Sequence, residues 1–130
     1  MAIGFFVQSG KDGPIHGLSG GFHDALLQER IISFLASESD QVDPFDGGVF
    51  GEQSLIELHA NVASAIAMLG RQDPNWGMSS EELRAYYSRG KSYRLNLLPP
   101  AQQAMADMSR LLELVERACS DKLQVVFTGD

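Results

Sequence analysis

The chain has 130 residues, 44% hydrophobic and 21% charged, a balance that supports one core of ordinary domain size and excludes an intrinsically disordered segment. Ten Lys and Arg against seventeen Asp and Glu give a formal charge of −7, which argues against nucleic acid or an anionic membrane as partner, since both are held through Lys and Arg, and favours a basic protein. The N-terminus lacks the basic start and apolar core of a signal peptide, no stretch approaches the roughly 18 apolar residues of a membrane span, and the lone Cys119 can close no internal disulfide, so a cytoplasmic protein is expected.

Residues 2 to 8, AIGFFVQ, are a short apolar run stopped at once by the turn formers SGKDGP. That pattern predicts a strand. The following stretch crowds Gly13, Gly17, Gly20 and Gly21 together, which predicts a pliable segment wrapping the surface before the first helix. Phe22, Leu26, Leu27, Ile31, Phe34 and Leu35 recur at helical spacing, placing that helix over about 22 to 36.

A second helix is expected from Glu52 or Gln53 to Leu69, with Leu55, Ile56, Leu58, Val62, Ile66 and Leu69 apolar and alanines at 60, 63, 65 and 67. So few polar positions predict a central helix. Ser79 and Glu82 match a capping box, each side chain accepting from the other's backbone amide, and open a short helix expected to stop at Gly90. YRLNL at 93 to 97 alternates as a half-buried strand would. Pro99 or Pro100 then begins a long helix whose buried stripe is read as Met105, Met108, Leu111, Leu112, Val115 and Cys119. LQVVFT at 123 to 128 is β-branched and aromatic, a strand suited to pair with the N-terminal one. The fold class expected is α+β and predominantly helical, about four helices packed on one face of a small sheet formed by the N-terminal and C-terminal strands. With no repeat and no linker composition, residues 1 to 130 read as a single globular domain.

Chemistry-bearing motifs are scarce. The loop SDQVDPFDGGVFGE at 39 to 52 concentrates Asp40, Asp43, Asp46 and Glu52 with three glycines, yet neither Asp40 nor Asp43 starts an EF-hand register, because Val42, Pro44 and Phe45 or Phe45 and Gly47 occupy the ligand positions. Gly4 to Asp12 has one residue too many between its glycines for a phosphate loop, and Asp12 stands where Ser or Thr must reach magnesium. His16, His23 and His59 lack metal-ligand spacing, so no metal and no cofactor are expected. No GxSxG elbow occurs. His23 beside Asp24 is the one adjacent histidine and carboxylate, and neighbours on a helix face apart. Trp76, Tyr86, Tyr87 and Tyr93 interleave with Arg84, Arg89, Lys91 and Arg94, the mixture that holds flat anions. Against the charge of −7, tyrosines packed on the core are the plainer reading.

From Arg30 to Arg71 there is no intervening Lys or Arg, while Glu38, Asp40, Asp43, Asp46, Glu52 and Glu57 lie between them. This asymmetry points to a non-catalytic protein-binding module, for example a cytosolic inhibitor or immunity-type protein. Asp40, Asp43, Asp46 and Glu52 would contact the basic partner, and Phe45 and Phe50 would anchor it unless they tuck into the core. Two alternatives remain open: a small enzyme or ligand binder built on the Gly-rich segment 10 to 21 with His16, His23 and Asp24, or a subunit of an oligomer, a homodimer included.

Overall fold

A computed structural model describes residues 3–10, 13–35 and 47–129. The chain runs β1 (Gly4–Gln8), β2 (Ile15–Gly21), α1 (Ala25–Ile31) with a 3-10 turn at Ile32–Phe34, β3 (Gly48–Phe50), α2 (Glu52–Leu69), α3 (Ser80–Ser92), α4 (Pro100–Asp121) and β4 (Gln124–Thr128). The four strands form one antiparallel sheet in the order β2-β1-β4-β3, with the C-terminal strand between β1 and β3. This is the α+β arrangement that the patterning predicts. Among the described residues, no helix is long and apolar enough to cross a membrane.

The alternation of β1 and β4 decides which face of the sheet is covered. Phe5 and Val7, with Val125, Phe127 and Phe50, are buried, whereas their neighbours Phe6, Gln8 and Val126 are only half-buried and Val49 is exposed. The buried face meets α2 through Leu55, Leu58, Val62, Ala65 and Leu69, and α4 through Ala104, Met108, Leu111, Val115 and Ala118. Both sets repeat at three- and four-residue steps, so each helix turns one stripe to the sheet. Met105 and Leu112 sit at the stripe's margin, half-buried. α3 buries Tyr86 against Leu27 and Met78 in a smaller cluster.

Several boundaries differ from the sequence reading. The Gly-rich segment is not a surface wrap but β2, an edge strand paired to β1 with a bulge that leaves Gly17 and Leu18 opposite no partner. Gly20 is what allows the pairing, because a Cβ there would stand 2.6 Å from the buried Phe5 ring. Gly20→Ala is therefore expected to destabilise by about 1 to 3 kcal/mol through overpacking, read as a lower urea midpoint at unchanged slope. The first helix starts at Ala25 rather than residue 22, since Asp24 caps it and accepts from Leu26 N–H at 2.8 Å.

α3 passes through Gly90 and ends at Ser92. Its glycine serves close approach instead of termination, as Leu97 Cδ1 lies 2.5 Å from where a Cβ would stand. Residues 93–97 are not a strand: the chain turns at Arg94 and crosses as an irregular strap in which Leu95 and Leu97 are half-buried and Asn96 and Leu98 exposed. The alternation is real in burial, but among the described residues no strand lies alongside to pair with it. The Ser79 and Glu82 capping box forms as expected, at 3.2 Å and 3.1 Å.

Candidate functional site

A polar cluster closes the end of the molecule where α1 begins. Asp107, 2% exposed, projects from the buried side of α4 and accepts from His23 Nδ1–H at 2.6 Å, from the His23 backbone N–H at 3.1 Å and from Gln103 Nε2 at 3.0 Å. Gln103 in turn accepts from Leu98 N–H at 3.1 Å, and Tyr86 donates its hydroxyl to Leu98 O at 2.5 Å. Beside them the buried Asp24 takes a bidentate pair from Arg89 at 2.9 Å and 3.2 Å. His23 and Asp24 thus serve different partners, Asp107 and Arg89, and do not form a unit with each other. Burial, reinforced by Tyr87, Asp24 and Asp107, pushes the Tyr86 phenol far above its ordinary pKa, so it stays a neutral donor.

With Nδ1 bound to Asp107, the His23 ring leaves Nε2 without a partner among the described residues, and the side chain is 46% exposed. A carboxylate-oriented imidazole is one half of a general-base mechanism. The other half, a nucleophile within reach in a cavity, is not supplied by the two depressions described below, which His23 does not line. No buried side-chain N or O among the described residues lacks a hydrogen bond. The cluster holds α1, α3, α4 and the 95–98 strap together, the role such a fully satisfied network plays in specifying a fold.

The second feature is an open depression of about 1120 Å³ between β3, the start of α2 and the end of α4. Val49 and Ile56 on its wall are 46% and 58% exposed, and Glu52, Cys119, Lys122 and Leu123 also line it. Large apolar side chains left in solvent together mark an interaction surface more often than single ones do. Ile56 was expected in the core; it falls off the stripe set by Leu55, Leu58 and Val62. Cys119, expected to be buried, is exposed one position beyond Ala118. Partial burial and the neighbouring Glu116 raise its thiol pKa, so it is a poor nucleophile at neutral pH.

Glu52 is exposed at the mouth of this depression, in a left-handed conformation (φ +50°) that non-glycine residues adopt at a cost. It occupies the first position of α2, the helix end at which negative charge is favoured. Phe50, expected to anchor the partner unless it tucked into the core, takes the second course: it is fully buried, with its ring 5.6 Å from that of Phe127, and offers no surface to a partner. Asp40, Asp43, Phe45 and Asp46 lie outside the described residues, in the segment that leads into β3. His59 pairs with Glu116 at 3.5 Å, linking α2 to α4. Groups of three or more ligating side chains able to hold a metal are absent among the described residues.

Asp107 and Gln103 are the residues that sequence reasoning missed. Their signal was available, since both share a helical face with Ala104, Leu111 and Leu114, and a carboxylate on a buried stripe requires partners. Comparison with models of protein families, with curated proteins and with solved structures gives no match to this chain. The residues themselves carry the functional reading.

Proposed function

We propose that the chain is a non-catalytic protein-binding module. It takes a basic partner through the depression between β3, α2 and α4, with Glu52 and the acidic residues Asp40, Asp43 and Asp46 as its charged contacts. The observation that carries this reading is the joint exposure of Val49 and Ile56 beside Glu52, a few positions in sequence after Asp40, Asp43 and Asp46. Apolar anchors inside a polar rim are the anatomy of a protein interface. β3 adds to it, being the last strand in the sheet order, so an incoming extended segment could meet backbone groups as well as side chains. An inhibitor or immunity-type role falls within this reading.

The Gly-rich alternative has less support, because Ile15, His16 and Ser19 to Gly21 are spent in backbone pairing with β1. The test is retention of proteins from the source lysate on immobilised wild type, Ile56→Asp and the triple variant Asp40→Asn, Asp43→Asn, Asp46→Asn. One basic protein is expected on the wild type. Ile56→Asp should weaken it about tenfold or more at any salt, by burying a charge at an apolar anchor. The triple variant should weaken it mainly at low salt, with thermal stability nearly unchanged. Equal retention by all three would overturn the proposal.

A further inference from the structure

A smaller depression of about 510 Å³ lies at the opposite end of the charge distribution, lined by Tyr87, Lys91, Arg94, Leu95, Asn96 and Leu97. We propose that it binds a small organic phosphate carrying a flat ring, a site independent of the protein interface above. Its lining holds two cations and no carboxylate in a chain whose net charge is −7. The ion pairs of the described residues use Arg30, Arg89, Arg110 and Arg117 and neither of these two. Two cations without carboxylate neighbours suit a dianion, and the guanidinium fork matches phosphate oxygens.

The backbone supplies a second, separate observation. α3 ends in a left-handed turn in which Leu95 N–H bonds Gly90 O at 2.7 Å and Arg94 N–H bonds Lys91 O at 3.1 Å. The left-handed residue of this motif is usually glycine, but here it is Arg94, at φ +57°. A strained cation is therefore kept where the fold would prefer no side chain at all, the kind of backbone exception that gathers at binding sites. The same bonds, with Tyr93 N–H on Arg89 O at 3.1 Å, satisfy three helix-end carbonyls, and the two cations must offset the negative end of the helix dipole for an anion to bind.

Flatness is read from Tyr87. The residue is 42% exposed, its ring meets that of Tyr86 edge to face with centroids 4.8 Å apart, and it lies one helical turn before Lys91. A planar group stacked on it would have its phosphate toward the cations, with Leu95 and Leu97 as apolar wall. The depression is open, so a ligand held there would keep one side in solvent. The overall charge opposes a long polyanion, so a small ligand is favoured over nucleic acid.

The experiment is an NMR titration of the ¹⁵N-labelled full chain at low salt with AMP, adenosine and inorganic phosphate. AMP should shift the amides of 87 to 97 saturably, adenosine and phosphate at least about tenfold more weakly. Arg94→Gly should lose AMP binding about tenfold or more while melting higher by about 2 to 5 °C, since glycine relieves the strain. Lys91→Gln should lose binding without that gain in melting temperature. Absence of saturable AMP shifts, or unchanged affinity in both variants, would overturn the site. Adenosine binding as well as AMP would overturn its anionic character, and phosphate binding as well as AMP would overturn the stacked ring.

Discussion

Asp107→Ala is expected to lower the unfolding free energy by about 2 to 4 kcal/mol, the cost of leaving hydrogen-bond donors at a largely buried site without their acceptor. The carboxylate is 2% exposed and serves three donors, namely the His23 ring, the His23 backbone and Gln103. Removing it leaves the Gln103 amide with only the His23 ring at 3.3 Å and takes the acceptor from the His23 backbone N–H, and each donor left unpaired costs about 1 to 3 kcal/mol where it is buried. Asp107→Asn should cost less, because one oxygen still accepts, but its new amide group faces donors and cannot satisfy them. His23→Ala should cost least, since that ring is half in solvent. Urea denaturation of the three variants gives the ranking. A wild-type midpoint for Asp107→Ala would mean that the cluster does not hold the fold, and would return His23 and Asp107 to consideration as a catalytic pair.

The other large loss is expected for Phe127→Ala, at about 3 to 5 kcal/mol from lost burial plus the cavity left behind. Phe127 lies on β4, the strand that both β1 and β3 pair with, and its ring contacts Phe5 at 5.9 Å and Phe50 at 5.6 Å between centroids. Truncation therefore strips ring contacts from two neighbouring strands at once. Phe127→Leu, which keeps most of the volume, should cost about 1.5 kcal/mol or less. Phe6→Ala on the opposite face supplies the control: only half-buried, it should cost far less than Phe127→Ala. Equal losses at positions 6 and 127 would contradict a sheet covered on one face, and calorimetric melting of the pair would reveal it.

The elements legible in the sequence were those whose own side chains repeat. α2 and α4 present Leu55, Leu58, Val62 and Met108, Leu111, Val115 at steps that only a helix aligns, and β4 announces itself through consecutive β-branched residues. β2 was not legible, because a strand written with Gly17, Gly20 and Gly21 has almost no side chains to alternate; it exists because Phe5 needs the space above Gly20. The strap at 93–97 misled for the opposite reason, alternating around a single packing contact with Gly90 and Tyr86's cluster rather than around a neighbouring strand. Of the candidate contacts, Glu52 was legible as a residue at a helix start, but nothing in the sequence marked the depression that it lines. Phe50 could not, as a phenylalanine beside glycines reads equally well as anchor or core. Val49 and Ile56 were invisible as surface residues, since periodicity tolerates an apolar residue one step off the stripe and gives no sign of what covers it.

The most direct test is hydrogen exchange of the chain alone and bound to the basic protein that it captures. Protection gained at 48–56 and 118–124, around the depression of Val49, Glu52 and Ile56, together with the acidic segment that leads into β3, is the predicted result. Protection confined to 87–97 or to the end of the molecule at His23, with none around Val49 and Ile56, would contradict the proposed interface.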